Sequence, residues 1–158
     1  MDREVNTSNT SGPVFDPRLF LRDEELERGI GLILAAERVL AMVAETARRK
    51  TGLSAAECRI LLALRTQPGQ EISALRARLG ATTPTFARQL GRLDAAGYIA
   101  KTRGMMDART RRLSLSTKGA AITEPIAAAM RDAMRRAYRD AGAEKVAGAL
   151  AVLKAIEP

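Results

Sequence analysis

The sequence predicts a mainly α-helical protein with one small β-hairpin. Apolar residues make up 46% of the 158 residues but aromatic residues only 3%, so the core must be built from Ala, Leu, Ile, Val and Met, which favours packed helices over a sheet sandwich. Helix-capping signals recur along the chain, whereas apolar and polar residues alternate in two short runs, residues 98–103 and 111–115. A chain of this length can form one well-buried domain and is too short for two of ordinary size.

The N-terminal part predicts a tail followed by a long helix. We expect residues 1–22 to form a mobile tail, because they offer too little apolar surface to offset the entropy of ordering. The alternative is that the later apolar residues of this tail pack on a partner subunit. Acidic residues from Asp23 onward open a helix, and Arg48, Arg49, Lys50 and then Gly52 close it. Its apolar stripe is too wide for one neighbour and consists of Ile30, Leu32, Ile33, Leu34, Val39, Leu40, Met42 and Val43.

Two further helices follow with their own start and stop signals. Ser54 and Glu57 have the spacing of a capping box, and Pro68 with the following glycine ends the helix that they start. A short helix capped by Ser73 comes next, and Gly80 supplies a turn because it tolerates a left-handed backbone. The predicted inner faces are Ile60, Leu61 and Leu64 in the first helix, and Ile72, Leu75 and Leu79 in the second.

Thr82 is predicted to cap another helix, in which Pro84 occupies the first turn and which Gly97 terminates. This helix carries a buried stripe of Phe86, Leu90 and Leu93 and a separate polar stripe. The two alternating runs after it are joined by a loop around Gly104 and predict a hairpin.

A last long helix starts at Ser116, with Ile122, Ile126, Met130 and Met134 facing inward. Pro125 should bend or break this helix. After Gly142, a short helix is predicted to bury Val146, Leu150 and Leu153.

The order helix, tight turn, helix and ribbon in residues 54–116 is that of a winged helix-turn-helix, which reads double-stranded DNA. This segment holds 11 Lys/Arg and 4 Asp/Glu, a net charge of +7 out of the total of +8. Residues 1–53 have a net charge of −1 and residues 117–158 a net charge of +2. Such a concentration of positive charge is expected of a phosphate-binding surface.

Candidate DNA contacts fall into three groups. The N-terminal part of a recognition helix enters the major groove, where Arg forks onto guanine and Gln onto adenine; the candidates there are Thr83, Thr85, Arg88, Gln89 and Arg92. The candidate wing residues are Asp107, Arg109 and Arg111, in which the aspartate can brace the Arg109 guanidinium at a minor groove. The candidate phosphate contacts are Arg76, Arg78, Lys101 and Arg103, with Arg112 flanking them. The alternatives are an ordinary solvated helix face for the recognition residues, a surface ion pair for Asp107 and Arg109, and plain surface charges for the phosphate candidates.

The composition also argues against several classes of protein. The chain has no histidine and one cysteine, Cys58, so zinc sites and Ser-His or Cys-His catalysis are effectively excluded, and no cofactor, metal or enzymatic activity is expected. Neither a signal peptide nor a long uncharged apolar run is evident, which predicts a cytosolic protein. Cys58 is expected to be a buried, inert thiol, and a redox-sensing role is its alternative.

The run from Leu53 to Gly119 resembles the multiple antibiotic resistance regulator (MarR) family of transcription factors. The resemblance lies in the wing Asp107-Ala108-Arg109, the helix start Leu115-Ser116-Thr117-Lys118-Gly119, the turn at Gly80 and the segment Leu93 to Ile99. It departs from the family in Met105 and Met106 at the wing tip and in Ala108, where a second arginine is frequent.

This resemblance implies a homodimer whose flanking helices, residues 23–53 and 117–158, interleave between subunits. It further implies binding to a pseudo-palindromic promoter site, more often as a repressor than as an activator, and release by a small-molecule or redox signal. The effector-binding residues stay unknown. The alternative from another class is a helical module that binds other proteins and whose basic lobe is incidental.

Overall fold

The structure is a computed structural model that describes residues 22–103 and 111–156. These residues form a mainly helical fold with a small antiparallel sheet, as the sequence predicts. The elements are α1 Asp23–Arg48, α2 Ala55–Thr66, β1 Gln70–Glu71, α3 Ile72–Arg78, α4 Thr83–Ala95, β2 Ile99–Arg103, β3 Arg111–Leu115, α5 Thr117–Ala141 and α6 Ala143–Ile156. The predicted tail, residues 1–22, lies outside the described residues except for Arg22.

The chain divides into two compact units, residues 1–38 and 39–158. The described part of the first unit is the N-terminal portion of α1, a helix in which no residue is buried. Its exposed apolar side chains are Leu26, Ile30, Leu32, Ile33 and Leu34. Among the described residues, the wide apolar stripe predicted for α1 is therefore present but largely exposed.

The core of the second unit is formed by side chains from α2, α3, α4, the sheet and α5. Its most deeply buried members are Ile60, Leu61, Leu64, Leu75, Phe86, Leu93, Leu113 and Ile126. The predicted inner faces of α2, α3 and α4 are thus confirmed at their centres, whereas Ile72, Leu79 and Leu90 are half-buried at the edge of the core.

Two of the predicted helix caps are confirmed. The Ser54 N–H donates to the Glu57 carboxylate at 2.8 Å, and the Glu57 N–H donates to Ser54 Oγ at 3.2 Å, which completes the capping box of α2. Ser116 caps α5 by accepting a hydrogen bond from the Gly119 N–H at 3.0 Å. The two serines thus fix the starts of α2 and α5.

The caps predicted for the next two helices differ from those observed. The prediction that Ser73 caps α3 is wrong, because α3 already begins at Ile72 and Glu71 occupies the N-cap position. Glu71 also ends β1, so strand pairing with β3 fixes the backbone at the helix entrance. Thr82 does occupy the N-cap position of α4, but its side chain makes no capping hydrogen bond.

The sheet has the order β1-β3-β2 and is antiparallel throughout. The predicted hairpin is confirmed, with a register that runs from Ile99 opposite Leu115 to Arg103 opposite Arg111. The strand β1 is a feature that the sequence did not predict, since two residues are too few to show alternation. It joins the start of α3 to the base of the hairpin.

The last two helices depart from expectation. Helix α5 is continuous from Thr117 to Ala141, so the break considered for Pro125 does not occur. Both Pro125 and Ala121, whose carbonyl would otherwise accept the missing N–H, are exposed, and water can therefore satisfy that carbonyl. The predicted burial of α6 is wrong for this chain alone: Val146 is only half-buried, and Leu150 and Leu153 are 49% and 48% exposed.

Across residues 22–103 and 111–156, no helix combines the length and the apolar character needed to cross a bilayer.

Candidate nucleic-acid interface

Helix α4 presents a polar face opposite its buried side. Phe86 and Leu93 enter the core, whereas Thr83, Thr85 and Arg88 are exposed. These three of the five predicted recognition residues lie close to the N-terminal end of α4, and a fourth, Arg92, is exposed further along the helix. Their hydroxyl and guanidinium groups are available to base edges or phosphates.

The other two predicted recognition residues lie against α2. Gln89 is half-buried and lines a small cavity together with Ala56 and Arg59 of that helix. Arg92 forms an ion pair between its Nε and Glu57 Oε1, at 3.3 Å. The polar stripe of α4 thus divides into an open N-terminal part and a C-terminal part held to a neighbouring helix.

A groove brings together predicted contacts from three different elements. Arg76 of α3, Thr83 of α4 and Arg111 of β3 line one cavity of about 520 Å³, whose apolar walls include Phe86 and Leu90. Arg76 Nη1 donates a hydrogen bond to Thr83 Oγ1 at 3.1 Å, so the first helix of the pair supports the start of the second. The groove collects two cations beside the exposed end of α4.

The remaining predicted DNA-contacting cations differ in their surroundings and partners. Arg78 is exposed near the end of α3. Lys101 of β2 forms an ion pair with Asp94 of α4, which ties the hairpin to the helix and offsets part of the lysine charge. For Arg103, the structure gives the strand register only, in which its backbone is paired with that of Arg111. Asp107 and Arg109 of the predicted wing lie outside the described residues.

The first turn of α5 holds the C-terminal end of α4. Lys118 Nζ donates to the carbonyl oxygen of Ala96 at 2.9 Å, and Ser116 Oγ donates to that of Gly97 at 2.6 Å. The Lys118 ammonium also lies 5.1 Å from the centroid of the Tyr98 ring. The carbonyls at the C-cap of α4 and at the residue after it are thus satisfied by the start of α5.

Gly119 allows this contact because it has no side chain. A Cβ at this position would lie 2.0 Å from the carbonyl oxygen of Tyr98, the same oxygen that accepts the Ser116 N–H at 3.1 Å. In the sequence, Ser116 marks a helix start, whereas Lys118 and Gly119 stand out only through the resemblance to a family. The contacts show that these residues fasten α5 to the segment that follows α4.

Cys58 is buried in the core, as the sequence predicts, and its residue is 4% exposed. Burial raises the pKa of the Cys58 thiol, and the nearby Arg48 guanidinium offsets only part of that effect. A buried neutral thiol is a poor nucleophile, which disfavours the redox-sensing alternative.

We expect Cys58 in the folded protein to react with a thiol reagent such as DTNB on the order of a hundredfold more slowly than in the urea-unfolded chain, because reaction requires local opening. Absorbance after mixing measures both rates. Equal rates in the two states would show that the thiol is accessible and would restore the redox alternative.

Comparison with known proteins identifies the family. A family model described as MarR family matches residues 51–110. The HTH-type transcriptional regulator PetP of Rhodobacter capsulatus is 32% identical over 149 residues, which are 94% of this chain and 90% of PetP. The protein belongs to the MarR family. As a member of this family it is a DNA-binding transcriptional regulator and not an enzyme.

Several solved structures share the fold at lower identity. NadR in complex with 4-hydroxyphenylacetate has a TM-score of 0.70 and 21% identity, over 81% of this chain and 90% of NadR. A MarR-family regulator from Silicibacter pomeroyi has a TM-score of 0.66 and 22% identity, over 79% and 84%. A cysteine-to-serine mutant of E. coli MarR complexed with operator DNA has a TM-score of 0.57 and 23% identity, over 89% and 99%. The predicted winged-helix fold is therefore confirmed.

Proposed function

We propose that this MarR-family protein binds a pseudo-palindromic promoter site as a homodimer and represses transcription until a small-molecule effector releases it. The observation that carries the proposal is the exposed N-terminal face of α4, where Thr85 and Arg88 lie beside a groove that contains Arg76 and Arg111. In this proposal α4 enters the major groove, and the hairpin follows the adjacent backbone.

The charge distribution supports duplex DNA as the partner. Residues 54–116 hold 11 Lys/Arg against 4 Asp/Glu. Within this segment, Arg88 and Arg111 are exposed to solvent and Arg76 is half-buried. In the proposal, phosphates are contacted by Arg76, Arg78, Lys101 and Arg103, bases by the α4 residues, and a minor groove by Asp107 and Arg109 of the wing.

Uncovered apolar surface supports a second copy as the subunit partner. Helix α6 has no buried residue, and its exposed apolar side chains are Leu150, Val152, Leu153 and Ile156. A wide-open cavity of about 740 Å³ lies beside α6 and is lined by Leu40, Met130, Met134, Tyr138 and Val146, with arginines at its edge. Water-exposed apolar surface of this kind is typical of an interface, and α1 separately carries an exposed apolar stripe of its own.

The proposed release by an effector depends on the two half-sites of the DNA that a dimer would bind. A dimer meets both half-sites only if its two lobes keep one spacing, so an effector that changes this spacing weakens several contacts together. A bound dimer blocks polymerase sterically. The fold neighbours NadR, solved with 4-hydroxyphenylacetate, and E. coli MarR, solved with operator DNA, support an effector and an operator for this chain. A cytosolic location belongs to the same proposal.

A DNA titration of the purified protein tests the proposal. Selection from a randomised duplex library should yield a site with two-fold symmetry, bound by a species with twice the mass of the chain in light scattering. Since each phosphate contact releases counterions, affinity should fall roughly 10³-fold or more between 50 and 200 mM salt if both lobes bind. A stable monomer, or a library in which no duplex is enriched even at low salt, would overturn the proposal.

A further inference from the structure

A buried carboxylate lies directly behind α4. Glu57, the third residue of α2, is 7% exposed. Its Oε2 accepts the Ser54 N–H of the capping box at 2.8 Å, while its Oε1 lies 3.3 Å from Nε of Arg92. Hydrogen bonding from the Ser54 backbone is the main cause of the lowered pKa of Glu57, so the carboxyl is ionised at neutral pH. One side chain thus caps α2 and touches α4.

The geometry of the ion pair between Arg92 and Glu57 allows the Arg92 guanidinium to bind a second partner. The Arg92 side chain is 71% exposed, and its approach to Glu57 is made by Nε, the guanidinium nitrogen nearest the main chain. The terminal amino groups, which complete the fork that grips a guanine or a phosphate, are not the atoms that make this approach. Arg92 also lies seven residues after Thr85 and four after Arg88, so it continues their side of the helix.

From this geometry we infer that Glu57 is a positioning residue that sets the DNA specificity of Arg92. The inference rests on the proposed function, in which α4 enters the major groove. Held from behind, the guanidinium has fewer orientations to lose when it meets a base edge, which favours the correct sequence. The same carboxylate repels nearby phosphates, so it lowers affinity for any duplex irrespective of sequence.

Glu57→Gln tests this inference because glutamine can still accept the Ser54 N–H and preserve the capping box. We expect the variant to bind a scrambled duplex about twofold to threefold more tightly, since one negative charge near the phosphates is removed. We expect its preference for the selected site over the scrambled duplex to fall about threefold to tenfold, the size expected when one long side chain is no longer held. Fluorescence anisotropy at fixed salt measures both.

Asp132→Asn is the matched control, because it makes the same change in net charge on α5, where Asp132 pairs with Arg135. It should leave the preference unchanged. Thermal unfolding checks that Glu57→Gln remains folded. In an Arg92→Ala background, Glu57→Gln should have no further effect on the preference, because Glu57 is inferred to act through Arg92.

The outcomes separate this inference from the function on which it rests. If the parent protein enriches no site, the proposed function fails. If the parent discriminates between duplexes and Glu57→Gln retains its full preference, the inference about Glu57 fails alone. It also fails if Glu57→Gln lowers the preference equally with and without Arg92.

Discussion

Replacing Gly119 by alanine should destabilise the unit of residues 39–158 by roughly 2–3 kcal/mol, within the range for forcing an atom into a packed site. The added Cβ would lie 2.0 Å from the Tyr98 carbonyl oxygen and 2.9 Å from the carbonyl carbon. These are backbone atoms, so a side-chain rotation cannot relieve the overlap. Either α5 moves away from α4, or the Ser116 N–H loses its bond to the same oxygen. Urea denaturation followed by circular dichroism measures the change in free energy of unfolding.

The matched control is Gly91→Ala in α4, where an added Cβ meets no heavy atom within 4 Å. Alanine is the better helix former, so this variant should be more stable than the parent by up to about 1 kcal/mol. If glycine-to-alanine replacement lowers the free energy of unfolding at position 119 and raises it at position 91, contact with Tyr98, and not helix propensity, decides the role of Gly119. An unfolding midpoint for Gly119→Ala equal to that of the parent would contradict the close approach.

Local signals account for most of the fold that could be predicted. Ser54 and Ser116 mark helix starts through hydrogen bonds to residues three positions away, which are visible in a sequence. The hairpin strands were recognisable because one side of the ribbon is buried. Signals that depend on distant residues were missed: β1 exists because it pairs with β3, and this pairing also makes Glu71 rather than Ser73 the N-cap of α3.

The candidate site could likewise be predicted only where local spacing along the chain determines it. Helical periodicity places Thr85, Arg88 and Arg92 on one side of α4, but it does not show that Arg92 meets a carboxylate of α2. Nor does spacing reveal that Lys101 meets Asp94. The predicted burial of α6 failed in a single chain because a periodic apolar face indicates that a partner is needed without specifying which molecule supplies it.

Arg88 carries the largest expected effect on DNA recognition. It is exposed on α4, and the proposal places it at a base edge, where a two-pronged arginine contact contributes about 1–3 kcal/mol of discrimination. Arg88→Ala should therefore weaken binding to the selected site about tenfold to a hundredfold, while binding to a scrambled duplex changes much less. Anisotropy titrations with both duplexes measure the difference, and the parent protein sets the reference.

Arg111→Ala provides the contrast, because Arg111 is an exposed residue beside the groove and belongs to the hairpin, which is proposed to follow the DNA backbone. A lost phosphate contact weakens both duplexes alike and lowers the slope of log affinity against log salt by about one. Arg88→Ala should leave that slope nearly unchanged, since a base contact releases few counterions. If Arg88→Ala weakens both duplexes equally and Arg111→Ala alters sequence preference, the roles assigned to α4 and the hairpin are reversed, and the proposed entry of α4 into the major groove is wrong.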